Sequence, residues 1–551
     1  MQETAAEIVR RLQAAGFAAF WVGGSVRDFL LGREPGDYDI ATSALPEQIE
    51  ALFKRTIAVG RKFGVIVVIE NGHQFQVATF RAEADYQDGR RPEHVRFSDA
   101  RADAERRDFT VNGLFFDPVN RQLHDWVGGE KDLRAGIIRT IGNPSERFAE
   151  DHLRLLRAVR LAAQLGFEIE PETFRAIQTH AAKIKLISAE RIRDELVKLF
   201  APPGAPHRQA AALGAPPSRR PVENEKPANS ASEPERRLAV GLPPETQPAQ
   251  SSSPSPPRSE EEGRGEVALR VRGEGDSVTH GNVTDQQAQT LPNAGTTSPS
   301  PIGWERAGVR ASSPARGLTL LRESALLEHV LPEVAATIHC EQSPDYHPEG
   351  SVFNHLVLML QKMPPDADPL LPWAILMHDI AKPLTASRDE KTGSIHFYEH
   401  ERIGAEMTER ILERLRFPTK QIDAVAQAVR CHMQFKDAPQ MRKSTLRRLL
   451  MRPTFPLELQ LHRVDCLGSH GRLDVYDFLI AQSQELAQQP EIRPPLLTGE
   501  DLIKLGLPPG PSMGALLNEI REKQLQDELK TPAEARAWAK EQISKGSDIP
   551  N

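Results

Sequence analysis

The chain has 551 residues, more than one ordinary core holds, so several domains are expected. Its formal charge of −7 excludes an overall basic character but not nucleic-acid binding, which depends on where Lys and Arg cluster. Three cysteines, Cys340, Cys431 and Cys466, contain no CxxC pair and so suggest neither a disulfide framework nor a structural zinc site, and no apolar run approaches the ~20 residues of a membrane span. These features predict a soluble protein of a reducing cytoplasm.

The N-terminal "MQETAAEIVRRLQAAGF" reads as an amphipathic helix rather than a targeting segment. "FAAFWV" then predicts a strand and "SVRDFLLG" a short helix, which puts Gly23, Gly24 and Ser25 at a strand-to-helix turn. Backbone amides at such a turn can cradle a phosphate, and glycine permits close approach, although most GG pairs only close a turn. Asp37-Tyr38-Asp39 follows. In an extended strand, residues two apart face the same way, so both carboxylates would enter one site and Tyr38 would turn from it. Two adjacent carboxylates suit Mg²⁺ bound with nucleotide phosphates. A solvated acidic turn is the simpler account of an isolated DxD; the neighbouring glycine turn, Arg27 and Asp28 favour the metal.

"FGVIVVIENGHQFQVATF" predicts a hairpin turning at Asn71-Gly72. From Arg147 to Phe200 the pattern is helical, and Asp151, Arg154, Arg157 and Arg160 recur every third residue as a slowly turning polar ridge. That ridge reads either as a salt-bridged face or as donors and an acceptor for a ligand. Residues 203–315 lose apolar periodicity and become rich in Pro, Ser, Gly, Glu and Arg, the composition of a disordered insertion. Such an insertion between two helices costs only logarithmically in closure entropy.

After residue 316 the pattern is almost wholly helical. His355, His378-Asp379, His400, His432 and Asp465 lie there, and imidazole with carboxylate can hold a divalent metal that activates water against a phosphoester. A lone helical His is more often packed or exposed without function. "KDAPQMRKSTLRRLLMRP" gathers Lys436, Arg442, Lys443, Arg447, Arg448 and Arg452, either an RNA-backbone contact or a solvated helix face.

"GGSVRDFLLGREPGDYDIAT" resembles the head motif of the class II tRNA nucleotidyltransferase and bacterial poly(A) polymerase family. The likeness continues in order through "RRDFTVNGLFFDP" (106–118), "DWVGGEKDL" (125–133), "RFAEDHLRLLRAVRLAAQLGF" (147–167) and "ERIRDEL" (190–196). The ordered His and Asp set resembles the HD phosphohydrolase domain that some bacterial members carry behind the head. "LLTGEDLIKLGLPPGPSMG" resembles the tail of HD-bearing tRNA nucleotidyltransferases.

The resemblance implies an α/β polymerase-beta-like head over 1–140, a helical neck over 141–202 for nucleotide selection and RNA binding, a disordered insertion over 203–315, a helical HD-type body over 316–480 and a tRNA-binding helical tail over 481–551. It implies Asp37 and Asp39 as catalytic Mg²⁺ ligands, with Gly24, Arg27 and Arg107 near the nucleotide. Asp151, Arg154, Arg157 and Arg160 would then choose ATP or CTP without a template. In the body, His355, His378, Asp379 and Asp465 would form the primary metal set, with His400 and His432 as second-site or phosphate-binding residues. The implied reaction is two-metal addition of CCA to tRNA 3′ ends. A poly(A) polymerase or a CC- or A-adding enzyme shares these head motifs, and an HD metallohydrolase with a merely binding head is a further alternative. The sequence sets no oligomeric state and leaves open whether the HD site is active. Two departures from the family pattern are Gly113, where Ala is more usual, and Gln76, where many relatives carry Glu.

Overall fold

The first helix, α1 (Gln2–Ala14), turns Ala5, Ile8, Val9 and Leu12 inward at three- and four-residue spacing and lays them against the strand that follows. The structure, a computed structural model, describes residues 1–82, 96–202, 288–290, 313–343, 347–488 and 495–545. All described elements fall in one unit, residues 1–216 with 287–551, whereas the second unit, 217–286, lies outside the described residues.

The head runs β1 (Ala19–Val22), α2 (Gly24–Leu30), β2 (Asp39–Thr42), α3 (Pro46–Leu52), β3 (Thr56–Gly60), β4 (Val65–Glu70), β5 (His73–Thr79), β6 (Arg81–Ala82), β7 (Arg96–Phe97), α4 (Ala100–Glu105), β8 (Phe115–Asp117), β9 (Gln122–His124) and α5 (Gly129–Ala135). One mixed sheet orders them β9-β8-β1-β2-β5-β4-β3, with β1 antiparallel to β2 and β8, and β2 parallel to β5. Trp21, Tyr38 and Phe116 pack together on one face of its centre, with Trp21 and Tyr38 ring centroids 4.7 Å apart. The β4–β5 hairpin pairs Glu70 with His73, and Asn71 (φ 50°) and Gly72 (φ 76°) both adopt the left-handed conformation that a two-residue hairpin demands.

The neck comprises α6 (Pro144–Glu150), α7 (Leu153–Leu165), α8 (Pro171–His180) and α9 (Ala189–Phe200). It is not purely helical: Glu168–Ile169 pairs in parallel with Ile137–Ile138. Helix α7 buries Leu155, Leu156, Val159 and Ala162 while α9 buries Leu196, Val197, Leu199 and Phe200, and the two pack together. The expected insertion lies mostly outside the described residues. Within it, Ala288–Thr290 is a strand on β9, and the next helix begins at Pro314, capped by the Ser313 hydroxyl accepting from the Arg316 amide. That helix, Pro314–Glu323, returns onto α7 and α9; a Cβ on Gly317 would lie 2.6 Å from Leu199 Cδ1, so glycine permits the close packing.

In the body, Val352–Lys362, Leu371–Met377, His400–Arg414, Thr419–Cys431 and Phe455–Gly468 share a continuous apolar core with head and neck. Trp373 stands between neck and body, 6.0 Å from the Phe200 ring and 4.7 Å from Phe417. The body departs from an all-helical pattern at one hairpin, Ala386–Arg388 with Ile395–Phe397. Asp389 accepts the Lys391 and Thr392 amides there, and Gly393 (φ 72°) completes the turn. The tail helices Gly499–Lys504, Pro511–Leu525 and Pro532–Lys545 enclose a separate small core around Leu502, Ile520, Ala535 and Ala539. Among the described residues no helix is long and apolar enough to cross a membrane.

Candidate active sites in the head and the helical body

Between β1 and α2, Gly23 takes φ 72°, ψ −135°, a conformation side chains oppose, and a Cβ there would lie 3.0 Å from Arg107 Nη1. Asp37 is exposed, Tyr38 is 3 % exposed and Asp39 is partly buried. Asp39 begins β2 and lines the cavity described below, whereas Asp37 precedes the strand and does not line it. Burial, and secondarily the Asp37 carboxylate, raise the Asp39 pKa to about 6 despite Arg107 nearby. Gln76, on the adjoining parallel strand one step before the Ile40–Val77 pair, is exposed and adds no charge.

Arg27 is buried, donating from Nε and Nη2 to Asp28 and from Nη1 to Asn112 Oδ1 at 2.7 Å. It braces α2 against the "RRDFTVN" turn and does not line the pocket described next. Arg107 pairs with Asp103 at 3.0 Å, its Nε is buried without a hydrogen-bond partner, and its guanidinium lies over the Phe115 ring. Gly113 fits closely beneath Val127, since a Cβ would come within 2.6 Å of Val127 Cγ2.

A cavity of about 340 Å³ joins these groups to the neck, with Gly23, Gly24, Asp39 and Arg107 at one side and Asp151, Arg154, Arg157 and Arg191 at the other. The four polar residues spaced by three in the sequence do not form one ridge. Asp151 lies between α6 and α7, its Oδ1 accepting the Leu153 amide and its Oδ2 the Arg191 guanidinium at 2.8 Å. Arg154 pairs with Glu150 and donates to Arg147 O. Arg157 crosses to Asp108; burial raises that carboxyl, but the guanidinium and the Asn112 and Phe109 donors overcome it and hold the pKa at about 2. Arg160 turns away from the cavity into a buried pair with Glu195. Arg191, Asn112 and Glu195 were not singled out from the sequence. Arg191 and Glu195 lie in "ERIRDEL", whose charged positions supply ionic partners to the α6–α7 corner and to α7.

In the body, the helix Val352–Lys362 carries His355, fully buried between Glu349 (Nδ1 to Oε1, 2.7 Å) and Asp465 (Nε2 to Oδ1, 3.0 Å). Burial lowers its pKa, but the two carboxylates outweigh that and raise it to about 9. His378 donates from Nδ1 to Ile375 O, and its Nε2 lies 3.2 Å from Asp379 Oδ2 without making a hydrogen bond. Nδ1 of His400 and of His432 likewise meet the carbonyls of Phe397 (2.7 Å) and Val429 (2.6 Å), which turns the two Nε2 atoms toward each other at 3.2 Å. Three groups of donor atoms thus converge within 4.8 Å: His347–Glu349–His355, His355–His378–Asp465 and Asp379–His400–His432. All six body residues expected from the sequence meet here, and their imidazole and carboxylate donors fit a divalent cation. Glu349, His347, Lys382 and Gln342 were missed. Lys382, Nζ 2.7 Å from Asp379 Oδ2 and 2.6 Å from Gln342 Oε1, was legible as the residue one helical turn past Asp379.

The basic segment has intramolecular partners. Lys443 and Arg447 pair with Asp527, Arg448 with Glu522 and Arg452 with Glu458, so three of those cations hold the tail.

Fold and sites together define a polymerase-beta-like head and neck joined to a helical body of HD type. Residues 19–139 match the poly A polymerase head domain, 166–207 the probable RNA and SrmB-binding site of polymerase A, and 351–467 the HD domain. The chain is 49 % identical over 198 residues, 36 % of its own length and 49 % of the relative's, to a CCA-adding enzyme of Staphylococcus saprophyticus. It is 48 % identical over 199 residues, with 36 % and 50 % covered, to one of Staphylococcus aureus. It therefore spans about half the length of the curated relatives it matches. The fold is similar to that of a Bacillus stearothermophilus CCA-adding enzyme in complex with CTP (TM-score 0.61, 23 % identity, 99 % and 98 % covered) and to a complex of a CCA-adding enzyme with ATP (TM-score 0.53, 15 %, 99 % and 95 %).

Proposed function

We propose that the chain is a tRNA nucleotidyltransferase that adds CCA to tRNA 3′ ends from CTP and ATP without a template. The observation that carries this reading is the cavity shared by Gly23, Gly24 and Asp39 of the head with Asp151 and Arg154 of the neck, which gives triphosphate and base one binding site. The curated relatives named CCA-adding enzymes support the choice of tRNA. A Mg²⁺ pair held by Asp37 and Asp39 would supply charge for in-line displacement of pyrophosphate from the α-phosphate by the RNA 3′-hydroxyl. The chain's own groups do the positioning. The Gly23–Gly24 turn admits the phosphates closely, Arg107 brings a donor without a partner, and Asp151, held by Arg191, offers an acceptor beside the donors of Arg154 to a base edge. Arg27 and Arg160 act through Asn112 and Glu195 instead of touching the nucleotide.

The convergent His and Asp groups of the body favour a second activity, metal-dependent phosphoester hydrolysis on RNA ends. The cytoplasm is the compartment consistent with tRNA and nucleotide substrates.

A transcript ending before CCA, incubated with labelled CTP and ATP, tests both activities. The expected outcome is C, C, then A, abolished by Asp39→Ala and unaffected by paired His378→Ala and Asp379→Ala changes, which remove only hydrolysis. Processive A addition to unrelated RNA without C would identify a poly(A) polymerase instead.

A further inference from the structure

We infer that the helical body binds a nucleobase in a second cavity, of about 440 Å³, beside its His and Asp centre. This rests on the reading of the body as a phosphoester hydrolase of RNA ends and goes beyond it by assigning the site that holds the base. The cavity lies between residues 336–341 and the hairpin of Ala386–Arg388 with Ile395–Phe397. Its walls suit a flat ligand with a polar edge. Ala336, Pro383, Ala386 and Ile395 offer aliphatic contact, while Glu341 Oε2 and Arg388 Nη2 stand 3.9 Å apart, an acceptor beside donors, as a base edge requires.

Three walls of the cavity are continuous with the centre. Pro383 follows Lys382, whose Nζ lies 2.7 Å from Asp379 Oδ2. Glu341 precedes Gln342, whose Oε1 accepts from that same Nζ at 2.6 Å. The hairpin ends at Phe397, which sets its ring 5.2 Å from the Lys382 nitrogen and gives its carbonyl to His400 Nδ1 at 2.7 Å. Neighbouring residues stand ~3.8 Å apart along the chain, so the base and the phosphoester of one nucleotide span the step from cavity to centre.

Gln342 is the independent sign of a missing ligand. It is 3 % exposed, and Lys382 commits its Oε1 as the acceptor; the amide nitrogen Nε2 is left buried with no hydrogen-bond partner. A sugar hydroxyl or phosphate oxygen between cavity and centre would accept from it. The Glu341–Arg388 pair, by contrast, is long and mostly exposed, and the other contact of Arg388, Nη1 to Gly393 O, is 3.4 Å. Such a pair holds little stability, so a base edge replaces it at small cost.

The test uses the full chain carrying Asp39→Ala, which silences the head, supplied with Co²⁺. The substrates are a short unpaired RNA with a 3′-terminal phosphate and glycerol phosphate, which has no base. Glu341→Ala, Arg388→Ala and the cavity-filling Ala336→Trp should each raise KM for the RNA about tenfold with kcat held, and change kcat/KM for glycerol phosphate less than twofold. With Asp39 restored, the same variants should add CCA at the parent's rate, which checks their folding. Photolabelling with 8-azidoadenosine 3′-phosphate reads the site without hydrolysis: the label should map to residues 336–341 or 386–397 and be lost in Ala336→Trp. An unchanged KM for RNA, equal losses on both substrates, or label confined to the head overturns the base site and leaves the hydrolase reading intact. No hydrolysis of either substrate by the parent overturns the hydrolase reading, whereas label in the cavity upholds the base site even then.

Discussion

Asp39 is held unfavourably as a carboxylate in the folded chain. Its pKa is raised from 3.8 to about 6 by burial and then by Asp37, so the folded chain binds this proton more tightly than the unfolded chain. The contribution to stability is therefore fully present below the unfolded value and is lost as pH rises through about 6. In metal-free protein at pH 7, Asp39→Asn should raise stability by about 1–2 kcal/mol, after discounting for partial exposure, and the gain should vanish near pH 4. Urea unfolding with EDTA at both pH values measures it; saturating Mg²⁺ with CTP should cancel or reverse the advantage. Asp108 presents the opposite case. With Arg157 holding its pKa at about 2, Asp108→Asn removes the nearer partner of a guanidinium that keeps Glu195 at 3.7 Å, and should cost about 1–2 kcal/mol at pH 7 in the same measurement. Asp39, Asp151 and Arg154, which line the cavity, belong to short motifs visible in the sequence, whereas Asp37 of the same motif does not line it. Arg160 was misplaced because three-residue steps drift around a helix, and its direction is set by Glu195, 35 residues away. Glu349 and Arg191 escaped notice because each holds another side chain, His355 and Asp151 respectively, which no local spacing reveals.

The motifs that do not touch the cavity act as joints between elements. Asp125 accepts the Val127, Gly129 and Glu130 amides and so shapes the start of α5, while Asp132 accepts from Thr110 Oγ1 at 2.7 Å. These contacts press α5 onto the "RRDFT" turn, where a Cβ on Gly129 would lie 2.1 Å from the Thr110 carbonyl oxygen. Backbone cannot yield as a side chain can. Gly129→Ala should therefore destabilise the head by about 3 kcal/mol or more, whereas Gly113→Ala, opposed mainly by the Val127 and Ile141 side chains, should cost about 1 kcal/mol. Chemical denaturation of both variants checks the ordering, and equal losses would remove the distinction between backbone and side-chain opposition. The α1 stripe and the Asn71-Gly72 hairpin were readable because period and turn chemistry agree. The 386–397 hairpin was not: its strands are three residues each, and the Asp389 turn that closes them gives too short a signal amid helical pattern.

Across the whole chain, apolar packing and charge divide the work of holding the parts together. Head, neck and most of the body share one core through Phe200 and Trp373, the helix Lys443–Leu450 belongs to another with Phe435, Phe455 and Leu479, and the tail, which has its own, meets that helix through ionic and polar contacts. Lys443 and Arg447 meet Asp527, Arg448 meets Glu522, Arg447 also donates to Leu525 O at 2.7 Å, and Gln526 reaches Ser444 at 3.3 Å. Exposed pairs of this kind contribute about 0–1 kcal/mol each and weaken with salt. Three cations of the segment read from sequence as either an RNA contact or a solvated face, Lys443, Arg447 and Arg448, pair with the tail in the folded chain. Asp527→Ala with Glu522→Ala should release the tail without unfolding the remainder. Limited trypsin digestion should then cut between body and tail about tenfold faster at ~50 mM salt, while the main thermal transition stays within about 2 °C of the parent's, because no apolar core has lost a residue. Unmodified protein at ~1 M NaCl should be cut at the rate of the variant. A cleavage rate unchanged by both treatments would show that the tail's attachment is not electrostatic and would require the apolar contacts along this seam to carry it.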